Sequence, residues 1–288
     1  MLFQHTCRTW DGPGPGTVEA DLTAPLESGG ILLLPALVFD VRDEERRFFS
    51  PSVVAAKNVS FDPATGRVAG STTAGEDAAL LAAWLRRFSE AAGALVDGLF
   101  PHYRGRLERA RASFRPAEIA GRQTSWRHDD TRLHIDSFPA TPVQGRRILR
   151  VFTNVNPEGK PRTWRVGEPF EQMAARFRGQ LRMPWPLGGR VLHLVHATKS
   201  RRSAYDALML QLHDRMKADV NYQATVAQTT IAFPAGSTWV AFTDAVSHAA
   251  MAGQYQLEQT FLLPVEAMQA PAQAPLRILE RLMGRPLV

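Results

Sequence analysis

The sequence predicts a mainly β fold with supporting helices, a double-stranded β-helix of the jelly-roll or cupin-like type. The back half of the chain contains three short β-forming runs, at 229–233, 237–243 and 256–263, separated by turns that contain Gly or Pro. Helical patterns precede these runs, and no internal repeat is found in the sequence. Short strands joined by such turns and supported by helices are typical of this architecture.

Each element of the first half is predicted from its hydrophobic pattern. The first 30 residues are loop-like, and the apolar run at 31–35 indicates a short buried strand. Over residues 76–96 apolar side chains recur at helical spacing with Glu and Arg between them, which predicts a helix that continues towards Leu99. Strands are predicted next over 126–135 and 147–155.

The second half adds helices on both sides of the three β-like runs. Residues 170–178 indicate a short helix, and residues 203–218 an amphipathic one. The Pro- and Ala-rich stretch at 264–275 is typical of a linker, and residues 275–288 indicate a short amphipathic helix. That helix either lies on an anionic bilayer or packs on the barrel or on a second subunit.

The length of 288 residues suits a single barrel domain. We expect a jelly-roll domain with N-terminal helical and loop elements over residues 1–264, followed by a linker and a C-terminal helix over 265–288.

The charge of the chain favours anionic partners. Lys and Arg number 34 against 28 Asp and Glu, which gives a formal net charge of +6. No dense Lys/Arg block and no nucleic-acid motif is present, so we do not expect nucleic acid as a partner. The single cysteine, Cys7, excludes an intrachain disulfide and a cysteine-based metal site. Because neither a secretory signal nor a membrane-spanning run is found, we expect a cytoplasmic protein, with peripheral contact to the inner membrane left open.

A His-x-Asp pair indicates a metal site. On a strand, His134 and Asp136 point to the same side and present an imidazole beside a carboxylate. His248 follows 112 positions after Asp136, between later β-like runs, and completes a 2-His-1-carboxylate set. Such a set leaves coordination positions open on a non-haem Fe(II). The alternative is a chance pairing, since the chain has eight histidines and most histidines are surface or core residues.

Three runs around this pair resemble the Kdo hydroxylases. These runs are 126–139, 147–157 and 161–170. Kdo is 3-deoxy-D-manno-oct-2-ulosonic acid, an inner-core sugar of lipopolysaccharide. The resemblance implies that His134, Asp136 and His248 bind Fe(II) and catalyse the reaction. The co-substrates would be 2-oxoglutarate and O2, with ascorbate as the reductant in vitro. The resemblance also implies hydroxylation of the 3-position of Kdo in Kdo-lipid A or a related lipid-linked sugar.

In the superfamily of 2-oxoglutarate-dependent oxygenases, a basic residue binds the distal carboxylate of 2-oxoglutarate. In this chain that residue is missing from its usual place. The stretch 249–261, beyond the second histidine, contains no Arg or Lys. Some members place this residue on the strand after His-x-Asp, where this chain has Arg150. A guanidinium binds a carboxylate through two parallel hydrogen bonds. We therefore predict that Arg150 binds the co-substrate with Asn154 as its helper; the alternative is that Arg150 points to solvent.

The substrate that the resemblance implies carries a carboxylate and phosphates. Arg127 and His128 precede the His-x-Asp pair, Trp126 stands beside them, and Arg162 follows the Arg150 strand. We predict that these four residues bind the substrate, although a solvated surface charge is the commoner role of a single arginine. Three other functions stay open at this point: another 2-oxoglutarate oxygenase, a sugar-binding jelly roll without redox chemistry, and a Zn or Mn hydrolase or isomerase.

Overall fold

The structure, a computed structural model, describes residues 1–12, 21–55, 57–185 and 198–288. Within these residues, eleven strands form two sheets. The larger sheet has the order β1-β2-β9-β6-β11-β5-β3-β4, and the smaller one the order β10-β7-β8. The strands are β1 Leu2–Gln4, β2 Ile31–Leu34, β3 Val59–Asp62, β4 Arg67–Ala69, β5 Glu108–Arg115, β6 Arg147–Asn154, β7 Arg162–Pro169, β8 Thr229–Phe233, β9 Thr238–Phe242, β10 Val246–Ala252 and β11 Gln256–Leu263.

The two sheets face each other across an aromatic cluster. Phe152 of β6 and Trp239 of β9 belong to the larger sheet, and Trp164 of β7 and Phe233 of β8 to the smaller one. The rings of Phe233 and Trp239 are stacked with their centres 4.1 Å apart, and Trp164 meets Phe152 edge-on at 5.1 Å. Such contacts bury large apolar area between the sheets. The mainly β, jelly-roll prediction is confirmed.

Helices support this β core. They are α1 Thr23–Glu27, α2 Gly75–Leu99, α3 Phe170–Phe177, α4 Ala204–Ala218, α5 Val220–Thr225 and α6 Pro275–Met283. Helix α2 buries Leu81, Trp84, Leu85 and Phe88 along one face, as the periodicity of its sequence predicts. Ser203 caps α4: its hydroxyl accepts the Asp206 N–H, and the Asp206 carboxylate accepts the Ser203 N–H in return.

The predicted strand at 126–135 is wrong. Of this segment only His134 makes a β-type pairing, an isolated bridge to His248. The Asp129 side chain explains why, because it accepts hydrogen bonds from the backbone N–H and the hydroxyl of Thr131. This local turn takes the place of an extended ladder. The sequence reasoning also missed strands β1, β3, β4, β5, β7 and β10.

The C-terminal segment packs on the same core. Leu276 and Leu279 of α6 are buried, and the Tyr205 N–H of α4 donates to the carbonyl of Leu287. The helix therefore packs on the body, as one of the two alternatives predicted, with Leu282 and Met283 partly buried against the same core. Residues 265–275, predicted as a linker, form two short 3-10 turns against the body. No helix in the described part of the chain is long and apolar enough to cross a membrane.

Candidate metal centre

The three predicted ligands meet between the sheets. His134 and His248 stand opposite each other, with ring centres 4.7 Å apart, and Asp136 follows two residues later on the same side. One ligand atom from each of the three residues lies within 4.8 Å of the other two. Such a spacing allows all three to contact one ion.

Backbone carbonyls set the tautomer of both histidines. Nδ1 of His134 lies 2.7 Å from the carbonyl oxygen of Arg132, and Nδ1 of His248 lies 2.7 Å from that of Val246. Because a carbonyl only accepts, each Nδ1 carries the proton and donates it. Each Nε2 is thereby left with a lone pair, which is the form that a metal ligand needs.

The charges of the site match this arrangement. Burial lowers the pKa of both His134 and His248, so both imidazoles are neutral at neutral pH. Burial alone would raise the pKa of the Asp136 carboxyl, but the Arg150 guanidinium together with the neighbouring His248 and His134 outweighs it and holds that pKa below its usual range. The set therefore offers two neutral nitrogens and one carboxylate.

Two further contacts hold the His-x-Asp segment in place. The Asp136 N–H donates to the Thr243 carbonyl in the turn between β9 and β10, at 2.8 Å. On the other edge, the Gln223 side chain acts like a neighbouring strand: its amide donates to the Leu133 carbonyl and its oxygen accepts the Leu133 N–H. Hydrogen bonds on both edges of this segment, to the backbone of Thr243 and to the side chain of Gln223, thus hold the two ligands in position.

The donor set fits Fe(II). Two imidazoles and one carboxylate form the facial set of non-haem iron oxygenases, which keeps positions open for a co-substrate and O2. Oδ2 of Asp136 is buried and makes no hydrogen bond, although Nη1 of Arg150 lies 3.3 Å away. A buried carboxylate oxygen without a hydrogen bond is costly unless it has another partner, and a metal ion would provide one.

A cavity of about 560 Å³ opens onto the three ligands. Its described lining carries seven cationic and four acidic side chains, so it favours anionic ligands. The cationic residues are Lys57, Arg115, Arg127, Arg150, Arg162, Arg202 and Lys217, and the acidic ones are Asp130, Asp136, Asp214 and Glu258.

Four of the predicted site residues line this cavity beside the ligands: Arg127, His128, Arg150 and Arg162. Arg150 points inward, with only 11% of its side chain exposed. Trp126 does not line the cavity; it lies beneath the Arg127 guanidinium, 4.3 Å from its ring centre, and supports that side chain.

Asn154 is also outside the cavity lining, and its side chain is already engaged. Its amide donates to the carbonyls of Lys160 and Phe233, and its oxygen accepts the N–H of Asn156. These bonds shape the loop after β6. The geometry does not support the predicted helper role, and we do not retain it.

The sequence reasoning missed several residues of the cavity: Lys57, Arg115, Arg202, His213, Lys217 and Glu258. Glu258 stands ten residues after His248, near the place where a clamp arginine was expected. It accepts two hydrogen bonds from Arg115 on the neighbouring strand β5, of 2.9 and 3.1 Å. A Glu inside a predicted β-forming run was the signal that a cation faces it.

Comparison with known proteins identifies the family. The family model for 3-deoxy-D-manno-oct-2-ulosonic acid (Kdo) hydroxylase matches residues 10–286. No curated protein sequence matches the chain. Among solved structures, the Kdo hydroxylase KdoO, a non-heme Fe(II) alphaketoglutarate-dependent dioxygenase, is similar in its complex with alphaketoglutarate and Fe(III). It superposes with a TM-score of 0.96 at 44% identity, covering 100% of this chain and 97% of that one.

Two further structures of KdoO give the same result. Its apo form and its cobalt(II) complex each match with a TM-score of 0.96 and 45% identity, over 100% of this chain and 97% of theirs. The described His/Asp/His site and its cationic cavity agree with that similarity. The chain belongs to the family of the Kdo hydroxylases, which are Fe(II)- and 2-oxoglutarate-dependent dioxygenases.

Proposed function

We propose that this protein hydroxylates the 3-position of Kdo in Kdo-lipid A or a related lipid-linked sugar, with Fe(II), 2-oxoglutarate and O2. The observation that carries the proposal is the convergence of His134, Asp136 and His248 at the base of a cationic cavity. When bound there, iron with 2-oxoglutarate supplies the oxidising power that inserts one oxygen atom of O2 into an unactivated C–H bond, with release of succinate and CO2.

The protein contributes geometry and charge to this reaction. Carbonyl contacts fix both imidazoles before any metal arrives, and pairing to β10 fixes their distance. Phe152 and Trp164 form apolar walls of the cavity, and such walls limit the water beside a reacting group. Trp164 also stacks on the His248 ring, with centres 4.9 Å apart, and so restrains the orientation of this ligand.

Arg150 is our proposed clamp for the distal carboxylate of 2-oxoglutarate. Its guanidinium lies beside Asp136, and its buried Nε makes no hydrogen bond. Arg162 is the competing residue: it is buried, lines the same cavity and has no carboxylate partner within 4 Å in the described residues. Burial and the nearby charge of Arg115 lower the pKa of Arg162 to about 9, so it remains a cation at neutral pH.

The excess positive charge of the cavity supports an anionic, lipid-linked substrate. Arg127 and His128 are exposed at its rim, where they can meet the carboxylate or the phosphates of such a sugar. Because that substrate is anchored in a membrane, the proposal places the protein in the cytoplasm, at the face of the inner membrane. This contact would come from the substrate and the rim, since Leu276, Ile278 and Leu279 of α6 are buried.

Mass spectrometry tests the function directly. Kdo-lipid A is incubated with the protein, Fe(II), ascorbate and 2-oxoglutarate, and fragment ions locate any added oxygen. We expect a gain of one oxygen atom on C3 of Kdo and one succinate per product. An unmodified lipid, in a reaction that still consumes 2-oxoglutarate, would instead indicate an oxygenase with another substrate. The His134→Ala variant is the negative control.

A further inference from the structure

Helix α4 presents a second pair of polar side chains to the metal centre. His213 and Lys217 are one helical turn apart, so they share a face, and both line the cavity. The His213 ring meets the His134 ring edge-on, with centres 5.4 Å apart. Lys217 therefore belongs to the wall that lies next to a metal ligand.

Lys217 is buried without a counter-ion. The residue is 2% exposed, and its Nζ donates one hydrogen bond, to the Arg127 carbonyl at 3.0 Å. No carboxylate of the described residues lies within 4 Å of that nitrogen, whereas Lys57, Arg115 and Arg127 of the same cavity each have at least one. An ammonium has three protons to donate, so Lys217 keeps bonding capacity for a ligand.

This ammonium is buried on the wall that contacts a metal ligand. Lys217 lines the same cavity as His213, whose ring lies against His134, and burial lowers the pKa of Lys217. A desolvated cation without a counter-ion is costly in a folded protein unless an anion joins it. An anionic group close to the metal would therefore stabilise the buried Lys217 ammonium.

The chemistry of the sugar supplies such a group. In Kdo the carboxylate is attached to C2, which is bonded directly to C3, the carbon that receives oxygen. A cation that binds the carboxylate must therefore lie close to the iron. Arg150 is also close, but it is the proposed clamp for 2-oxoglutarate and lies beside the ligand Asp136, at 3.3 Å.

We propose that Lys217 binds the carboxylate of the reacting sugar and thereby turns C3 towards the metal. This inference rests on the proposed function and adds a specificity-determining residue to it. Arg150 or Arg162, on the strands, would bind 2-oxoglutarate, and Lys217, on helix α4, would bind the sugar. A sugar without the carboxylate would lose this contact and its orientation.

The test compares a Kdo glycoside with its carboxamide, which has the same shape and no charge. Binding of both is measured by calorimetry with Fe(II) and 2-oxoglutarate under anaerobic conditions, so no turnover is required. The wild type should bind the acid about 10- to 100-fold more tightly than the amide, as for other hydrogen bonds to charged groups. K217Q should lose most of the preference for the acid, and K217R should keep most of it.

Controls separate this role from a structural one. K160Q changes an exposed lysine that is paired with Glu158, and it should retain the wild-type preference. If K217Q keeps the full acid-to-amide ratio while the wild type hydroxylates Kdo, Lys217 has no part in carboxylate binding. If the wild type neither binds nor hydroxylates the acid, the proposed function itself fails, and the role of Lys217 fails with it.

Discussion

The backbones of His134 and His248 exchange two hydrogen bonds, each 2.9 Å long, in an isolated antiparallel bridge. Residues paired in this way point their side chains to the same face of the sheet. Backbone pairing therefore positions the two imidazoles side by side and does not depend on a bound metal. Asp136, two residues on, joins them on that face.

This relationship predicts that removing a ligand weakens metal binding strongly without unfolding the protein. In His134→Ala the backbone bridge remains, because it uses only the N–H and C=O groups. Titration with Co(II), followed by visible absorption, should show at least a 100-fold weaker affinity, and Fe(II)-dependent succinate formation should cease.

His102→Ala is the matched control, since His102 is an exposed histidine outside the cavity lining. It should bind Co(II) like the wild type. Unchanged metal affinity in His134→Ala, with circular dichroism showing a native fold, would remove His134 from the ligand set.

The two candidate clamps predict different kinetics. Arg150→Ala should raise the apparent KM for 2-oxoglutarate about 10-fold or more and leave the KM for the sugar nearly unchanged, because a charged bidentate contact is lost. Arg162→Ala is measured in parallel. If only Arg162→Ala raises the KM for 2-oxoglutarate, the clamp is Arg162 and the prediction for Arg150 is wrong.

Part of the metal centre followed from the sequence alone. The i, i+2 spacing of His134 and Asp136 implied a shared face, and the structure has that face even though the strand predicted over 126–135 is absent. The His134 bridge, together with the hydrogen bonds of Asp136 to Thr243 and of Leu133 to Gln223, takes the place of a longer strand. The turn that stops the strand is set by Asp129, whose side chain competes with ladder pairing.

The cationic wall could not be predicted in the same way. Arg115 lies in a strand with few apolar residues, β5, and its partner Glu258 is 143 positions away in the sequence. Only the pairing of β5 with β11 brings them together. The sequence predicts Lys217 on the polar face of an amphipathic helix, because periodicity does not distinguish a solvated lysine from one that faces a polar cavity.

A buried ion pair near the site predicts a large effect on stability. Arg147 and Asp244 are almost fully buried and 2.8 Å apart, and Asp244 lies in the turn whose Thr243 carbonyl holds Asp136. Arg147→Met leaves a buried carboxylate without its cation, so the free energy of unfolding should fall by about 3–5 kcal/mol. Urea denaturation measures the loss.

The exposed pair of Arg281 and Glu171 provides the comparison. Arg281→Met should change the free energy of unfolding by less than about 1 kcal/mol. Equal effects of the two substitutions would show that burial of the Arg147–Asp244 pair has no energetic consequence.

The neutral histidines predict that the metal-free protein loses stability in mild acid. Burial lowers the pKa of His134, His248 and His213 below the ordinary value of 6.5. As the pH falls below 6.5, the unfolded chain takes up protons that the folded site does not, so the free energy of unfolding decreases. Each such group contributes up to about 1.4 kcal/mol per pH unit. Urea denaturation of chelator-treated protein at pH 7.5, 6.5 and 5.5 measures the slope.

His248→Gln serves as the reference for this slope. It removes one titrating group, so its stability should depend less on pH than that of the wild type. A wild-type free energy of unfolding that stays constant from pH 7.5 to 5.5 would contradict the buried, neutral state of these histidines.

The C-terminal helix is predicted to stabilise the fold. Leu279 of α6 is fully buried in the main core, and Arg281 on the outer face reaches Glu171 of α3. Leu279→Ala should therefore lower the free energy of unfolding by about 2–5 kcal/mol. Arg285→Ala, at an exposed position of the same segment, should have almost no effect.

Sedimentation with anionic vesicles should be the same for both variants and the wild type, because most of the apolar face of α6 is already covered. A Leu279→Ala protein of native stability that no longer sediments with vesicles would show that this helix binds lipid instead.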